Sequence, residues 1–342
     1  MRNAAWPWRL LLTCLLLLVV GAVGIDCRHS SLESEAAASA SAPVHLTAAP
    51  VPTSSKPGAS GSVAPVRKPA RGLWWKVTSG GTTMYLLGSI HVASADLYPL
   101  DPRIESAFSS ADALVLEVDL TQIHLASVGM KMGEVASYPA GDSLDRHVTA
   151  KTIQLLEKYA PGGLMSVSTL KRFRPWFVAT TILQAKLERL GYDQAHGLDQ
   201  HFAELAKGKK EVIGLETLDD QVEIFAKMPE NTQRLMLEQT LDDLDQIEPT
   251  MKSVVQAWRR GDPELLDEQM LTPMRAPEFR PVFVKLFAVR NLNWERKLLE
   301  YLQTRKTYFV VVGAGHLIGK DSVIDLLERR HYQVVPQWKG AN

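Results

Sequence analysis

Two copies of a Gly-x-x-His phrase, each at the end of a strongly β-favouring run, constrain the fold of this chain more than any other feature. The first run ends in Gly88 to His91, and the second ends in Gly313 to His316. Each copy brings an imidazole to the end of a buried strand, and its glycine is expected to free the backbone for the turn that must follow. We therefore expect one site built from distant parts of the sequence, since histidine pairs most often serve metal ions or proton transfer.

The first 71 residues are expected to lie outside the folded domain. Residues 1–26 have the pattern of a secretory signal, in which arginines precede an apolar run from Leu10 to Val23 and a small-x-small cleavage site follows. That run is shorter than the roughly 20 residues of a membrane-spanning helix, and an uncleaved N-terminal membrane anchor is the alternative. Residues 27–71 are rich in Ala, Ser and Pro and predict a disordered tether.

Residues 72–342 are enough for one large domain. This part contains no cysteine, because Cys14 and Cys27 both fall in the N-terminal segments, so disulfides and thiolate metal sites are excluded. Any metal ion must then be held by His, Asp, Glu or water. Lysines plus arginines number 38, as do aspartates plus glutamates, and this balance argues against a nucleic-acid partner.

The order of predicted elements indicates an α/β fold (α+β mixed) with a mixed central β-sheet and a large helical insertion. A hairpin around Gly80-Gly81 opens the domain, and Pro102 is expected to begin a helix capped by the aspartate before it. The apolar run from Ala113 to Val118 predicts a buried strand. The middle is mostly helical, with a break expected at Pro249, and a strand, a helix and a last strand close the chain as a βαβ-like unit.

Acidic residues accompany two further predicted strands. Glu117 lies inside an apolar run, where an unpaired buried carboxylate would cost several kcal/mol. Asp119, two residues on, would face the same side of a strand and complete a carboxylate pair. Glu216 follows the short strand EVIG. The alternatives are a solvated edge strand for the first two residues and a capping or loop role for Glu216.

Ligands of open α/β sheets bind beyond the carboxyl ends of the strands. Two imidazoles and two carboxylates there would suit Zn²⁺, Mn²⁺ or Co²⁺. Such an ion lowers the pKa of a bound water to about 7 and activates it for hydrolysis, and one carboxylate could instead act as general base. For each histidine, the alternative is a simple hydrogen bond to a backbone carbonyl. The four side chains expected to meet in this way are His91, Glu117, Glu216 and His316.

A second cluster comprises Arg290, Asn291 and Trp294. A guanidinium at the site would suit a carboxylate, a substrate carbonyl or a developing oxyanion. The alternative is a turn between helices in which Arg290 pairs with an acid. Asp199 and His201 lie two residues apart and cannot share one face of a helix, so we do not assign them to the site.

These segments together resemble the TraB/PrgY/GumN family, which is related to the Tiki metal-dependent proteases. The resemblance covers about residues 73–335 and rests on GSIHVASADLYPL, ALVLEVDL, GLDQHFAELAKGKKEVIGLET, WRRGD, RNLNWERK and VVVGAGHLIGKDSVIDLL. It implies a fold similar to erythromycin esterase-like and ChaN-like proteins. It also implies a site of both Gly-x-x-His histidines and at least one glutamate, which match His91, His316, Glu117 and Glu216, with Arg290 and Asn291 as supports.

Three classes of function follow from these observations. The leading one is a secreted metal-dependent hydrolase, in particular a peptidase, in the periplasm or envelope of a bacterium. Its substrate would be a peptide or a small molecule, and Arg290 would stabilise the oxyanion. The second is a non-catalytic binding protein that sequesters a peptide or haem. The third is an envelope accessory factor in polysaccharide or pheromone pathways, which acts through protein contacts.

Overall fold

The computed structural model describes residues 67–163 and 165–339. The predicted signal, residues 1–26, and most of the predicted tether, residues 27–71, lie outside the described residues. The last part of that tether is described and contacts the domain, because Ala70 is buried and forms a bridge with Leu100. Within the described segments, no helix combines the length and the apolarity needed to cross a membrane.

A mixed six-stranded sheet lies at the centre of the described residues, as the sequence predicts. Its spatial order is β4-β3-β5-β2-β1-β6. Strands β2 to β5 are mutually parallel, whereas β1 is antiparallel to its neighbours β2 and β6. The strands are Trp74–Ser79 (β1), Thr82–Ser89 (β2), Ala113–Leu116 (β3), Glu211–Gly214 (β4), Thr307–Gly313 (β5) and Val334–Pro336 (β6).

The predicted N-terminal hairpin and the predicted C-terminal βαβ-like unit are both confirmed. Gly80 and Gly81 join β1 to β2 with φ of 54° and 94°, the conformation that a tight hairpin requires and that glycine adopts at little cost. At the other end of the sequence, β5, a helix and β6 form a βαβ-like unit. Strand β6 runs in the direction of β5, but β2 and β1 lie between them.

Helices fill the long connections from β3 to β4 and from β4 to β5. Pro249 does not break a helix as predicted, because it lies in the first turn of α9, where a missing N–H is no loss. The break is the 3₁₀ turn Leu244–Gln246. The helices are Pro102–Ser110 (α1), Leu125–Ala136 (α2), Ala150–Tyr159 (α3), Val167–Leu170 (α4), Pro175–Arg189 (α5), Leu198–Ala206 (α6), Leu218–Ala226 (α7), Glu230–Asp243 (α8), Ile247–Arg260 (α9), Pro263–Leu266 (α10), Arg280–Phe283 (α11), Val289–Tyr301 (α12) and Val323–Arg329 (α13).

The core lies on both faces of the sheet. Every residue of β3 is buried, and so is every residue of β5 after Thr307, which explains why these strands are continuous apolar runs. Trp176, Trp258 and Trp294 are the largest fully buried side chains. Because β2, β3, β4 and β5 are parallel, their carboxyl ends meet at one edge of the sheet, above a densely packed interior.

Candidate functional site

The two Gly-x-x-His phrases lie side by side at this edge. Strands β2 and β5 are parallel neighbours, and their register places Ser89 opposite Gly313. After β2 the chain leads to His91, and after β5 a 3₁₀ turn, Ala314–His316, carries the second histidine. Both histidines are buried, with exposed fractions of 3% and 1%.

The glycines of the two phrases have a different purpose from the one we predicted. Neither has a positive φ; that of Gly313 is −50°, so no unusual turn requires them. A Cβ on Gly88 would lie 3.0 Å from the Cα of Ala314, and a Cβ on Gly313 would lie 2.9 Å from Nε2 of His91. Each glycine thus leaves the space into which the other phrase packs.

His91 is held by a carboxylate that the sequence did not reveal. Its Nδ1 donates to Oδ2 of Asp199 at 2.6 Å, and Ser89 donates to the same oxygen. Its Nε2 has no hydrogen-bond partner among the described atoms and lies 3.4 Å from Oε1 of Glu117. Burial opposes the charged form of the imidazole, but Asp199 and Glu117 prevail and raise the pKa of His91 to about 10. The position therefore favours a positive charge.

Asp199 reaches this position because α6 begins against the first phrase. The N–H of Leu198 donates to the carbonyl of Ile90, and a Cβ on Gly197 would lie 2.1 Å from the carbonyl oxygen of His91. The sequence does contain a signal for a buried Asp199, and it lies in the residues that follow along α6. Asp199 shares a helix face with Phe202, Ala203 and Ala206, which are all buried. A carboxylate within such an apolar stripe needs a partner in the core.

Asn291 fixes the protonation of His316. Its amide nitrogen donates to the carbonyl of Asp321 at 2.8 Å, so its Oδ1 must accept from Nδ1 of His316, at 2.6 Å. The lone pair of Nε2 then accepts from Nη1 of Arg290 at 2.9 Å. Burial and the neighbouring guanidinium lower the pKa of His316 well below its usual value, which keeps the ring neutral.

Arg290 lies at the centre of the cluster, on α12, and is 4% exposed. Its Nη2 donates to Oε2 of Glu117 at 2.6 Å and to Oε1 of Glu216 at 2.5 Å. Its Nε donates to both oxygens of Glu216, and Nη1 also reaches the carbonyl of Leu286. Burial opposes the charge, but the two carboxylates raise the pKa of Arg290 above its usual value. The predicted pairing with an acid thus occurs inside the site.

Glu117 follows β3, which ends one residue earlier, at Leu116. Its Oε1 accepts from the N–H of Gly313 at 2.7 Å, and its Oε2 accepts from Arg290. Burial alone would raise the pKa of Glu117, but Arg290 and His91 hold it well below its usual value. The expected pair with Asp119 does not form. Because the strand has already ended, Asp119 instead caps a 3₁₀ turn by accepting from Thr121.

Glu216 is engaged on both of its oxygens. In addition to Arg290, the side chain of Gln221 donates to Oε1 at 2.8 Å, and the indole of Trp294 donates to Oε2 at 3.1 Å. Trp294 also stacks its ring under the guanidinium, 4.5 Å from the Cζ of Arg290. Glu216, Gln221 and Trp294 therefore hold the arginine in place.

The side chains of this cluster are of the types that bind divalent cations. The carboxylates of Glu117 and Glu216 bind the guanidinium of Arg290, and that of Asp199 binds His91. The three carboxylates therefore outnumber the positive charges of Arg290 and a protonated His91. Nε2 of His91 is buried without a hydrogen-bond partner, 3.4 Å from Oε1 of Glu117. A carboxylate on Nδ1 is the usual support of a metal-bound histidine, although the ring must lose its second proton to bind an ion. Within residues 67–163 and 165–339, however, no three His, Asp or Glu side chains are grouped as a metal ion requires, and Arg290 occupies Nε2 of His316.

Two pockets meet the cluster at Glu216. One, of about 410 Å³, lies between the end of β3 and the start of α7, and the other, of about 680 Å³, lies between α7 and α12. The second is lined by both Glu216 and Arg290, whereas His91, Glu117 and His316 line neither pocket. The Arg290–Glu216 pair therefore separates the buried histidines from the larger pocket.

The family of the chain follows from comparison with known proteins. A model of the TraB/PrgY/gumN family matches residues 73–336. The chain belongs to this family. The match includes the strand ends, α6 and α12, so every side chain of the cluster lies within the TraB/PrgY/gumN region.

Relatives in this family are distant. The uncharacterized protein YbaP of Escherichia coli is 26% identical over 249 residues, which cover 72% of this chain and 89% of YbaP. An uncharacterized protein of Treponema pallidum is 23% identical over 277 residues, 75% of this chain and 80% of that protein. Metalloprotease TIKI1 of Danio rerio is 24% identical over 305 residues, 73% of this chain and 60% of TIKI1. No solved structure gives a significant match.

Proposed function

We propose that this protein is a metal-dependent hydrolase that cleaves peptide bonds outside the cytoplasm. The observation that carries the proposal is the buried Nε2 of His91, which makes no hydrogen bond and faces Glu117 in a cluster where carboxylates outnumber cations. The similarity to a protein named as a metalloprotease supports the same class of reaction. A peptide substrate also agrees with the pocket beside Arg290, whose size of about 680 Å³ would hold several side chains.

Each residue of the cluster has a role in this proposal. His91, His316 and Glu117 would hold the ion once Arg290 gives up its bond to Nε2 of His316. The ion would supply an activated water and polarise the scissile carbonyl. Asp199 and Asn291 orient the two imidazoles by bonding their Nδ1 atoms. The positive charge of Arg290, beside His316, would counter the negative charge that develops on the carbonyl oxygen. Glu216 positions Arg290 rather than binding the ion.

The decisive measurement is metal content. After incubation with Zn²⁺, Mn²⁺ or Co²⁺ and dialysis, the wild type should retain about one ion per chain by mass spectrometry. Ligands that the fold brings together bind an ion tightly enough to keep it during dialysis. His91→Ala and His316→Ala should retain almost none while remaining folded. The wild type should cleave a quenched-fluorescent peptide mixture. A chelator should inhibit this cleavage, and added metal should restore it. Equal metal content in both variants and the wild type would overturn the proposal.

The support of His91 gives a graded prediction. Asp199→Asn should lower metal affinity by about 10- to 100-fold, since the lost carboxylate both orients the ring and increases its basicity. Asp193→Asn is the matched control, because Asp193 forms a similar bond to Nδ1 of His196 at 2.8 Å, but on the surface. Titration with a fluorescent zinc chelator measures both affinities. Equal affinities of the two variants would contradict the role of Asp199.

The binding-protein alternative has its own outcome in these experiments. A metal-loaded protein that binds peptides but leaves every bond intact would exclude the hydrolase. Peptides that stay intact in the presence of all three ions, with tight binding by fluorescence anisotropy, would establish that result.

A further inference from the structure

The larger pocket is a groove between α7 and α12, called here the α7–α12 groove, and the cluster described above uses only its inner end. Its floor is the loop after β4, from Gly214 to Thr217, and its inner end is closed by Glu216 and Arg290. Its outer walls carry side chains that the proposed chemistry leaves without a purpose. The groove therefore has room for more of a substrate than the bond that is cut.

The groove carries unpaired positive charge along α12 and the turn before it. Lys285 and Arg296 line it, and neither forms an ion pair within the described part of the chain. Lys297 also lines it and donates to the carbonyl of Leu215 at 2.6 Å. On the opposite wall, Lys227 is already paired with Glu223. The uncompensated cations thus lie on one wall, next to the entrance of the site.

An apolar side chain lies between these cations on the same wall. Val289 lines the groove and is 47% exposed, a large fraction for an apolar residue among those described. Positions 285, 289 and 296 are separated by four and seven residues, so they follow one face of the helical segment. Across the groove, Ile224 of α7 adds a second apolar contact. Exposed apolar patches with a polar rim mark interaction surfaces.

We propose that the α7–α12 groove binds a peptide that carries acidic side chains next to apolar ones. The inference rests on the proposed function, because it names the substrate class of the same site. Lys285 and Arg296 pair with carboxylates of the peptide, and Val289 contacts the apolar side chain between them. An acidic polysaccharide would match the charges but would leave Val289 and Ile224 uncovered, so the peptide accounts for more of the groove.

Binding is measured separately from cleavage, in the His91→Ala background. The probe is the fluorescein-labelled hexapeptide Ala-Glu-Leu-Glu-Ala-Leu, and its comparison replaces both glutamates by glutamine. The acidic peptide should bind about tenfold more tightly by anisotropy, as two exposed ion pairs allow. That preference should decline as salt rises from low to physiological ionic strength. Equal binding of the two peptides would overturn the proposal.

Charge variants of the wall complete the test. Lys285→Ala with Arg296→Ala should abolish the preference for glutamate, and Lys285→Glu with Arg296→Glu should reverse it toward a lysine-containing probe. The control pair, Lys207→Ala with Lys209→Ala, removes exposed lysines before β4, at the opposite edge of the sheet, and should preserve it. A preference that survives the first pair, or polygalacturonate that binds where the acidic peptide does not, would overturn the groove assignment.

The two proposals fail in different ways. Acid-selective binding in the His91→Ala background supports the groove even when the wild type neither retains metal nor cuts peptides. Cleavage by the wild type with no acidic preference overturns the groove alone and leaves the hydrolase in place.

Discussion

Replacing Arg290 by methionine should lower the free energy of unfolding by about 3–5 kcal/mol, because it leaves a buried pair without its cation. Glu117 and Glu216 would both lose their guanidinium, and Glu117 is 1% exposed, so water cannot replace it. Methionine has nearly the volume of arginine, so the loss of stability comes from the missing charge and hydrogen bonds. Urea unfolding followed by tryptophan fluorescence measures the change, since Trp294 lies against Arg290.

A more exposed ion pair, between neighbouring turns of one helix, provides the control for this experiment. Arg234→Met removes a guanidinium that donates to both oxygens of Glu238 on α8, and it should cost only about 0.3–0.5 kcal/mol. Adding Glu216→Gln to Arg290→Met should recover part of the lost stability, because one of the two unpaired carboxylates is gone. Similar losses for the two arginines would show that the buried cluster is not stabilised by its central cation.

Placing an alanine at Gly313 should abolish peptide cleavage and metal retention while leaving the protein folded. The new Cβ would lie 2.9 Å from Nε2 of His91 and 3.2 Å from Oε1 of Glu117. It therefore fills the space between the two atoms that are proposed to bind the ion. With a φ of −50°, the backbone accepts alanine without strain. Only side-chain ends must move, and the expected loss of stability is therefore about 1–3 kcal/mol.

Gly129→Ala is the counterpart of Gly313→Ala. A Cβ at Gly129 of α2 meets no atom within 4 Å, and alanine in a helix is favoured over glycine by up to about 1 kcal/mol. This variant should be as stable as the wild type or more so, with unchanged metal content and cleavage. Full metal retention by Gly313→Ala would contradict the assignment of this space to the ion.

The parts of the fold that depend on strand patterns could be predicted from the sequence. Apolar runs ending in polar side chains located β2, β3, β4 and β5, and parallel strands bring their carboxyl ends to one edge. His91, His316, Glu117 and Glu216 could therefore be expected to meet. In the structure, Arg290 joins the last three, and His91 lies beside Glu117.

Contacts made across long sequence separations could not be predicted in the same way. Asp199 bonds His91 because α6 packs on the sheet, and helical spacing shows the buried face without showing what lies opposite. The exact strand end decided the case of Asp119, since only a strand three residues longer would have included it and placed its side chain on the same side as Glu117. The glycines of the two phrases were correctly singled out, but only the packing of one phrase against the other explains them.

The position of β5 in the sheet has a consequence for how the protein matures. This strand lies between β2 and β3 in the sheet. In the sequence, however, it begins at Thr307, and most of the domain separates it from both of them. During synthesis, the edges of β2 and β3 stay open until the C-terminal segment emerges, which makes folding slow and these edges prone to wrong pairing. The same insertion completes the cluster, because β5 carries Gly313 and leads to His316. A nascent or truncated chain that lacks this strand has no assembled centre, so the proposed activity can begin only once the entire domain has folded.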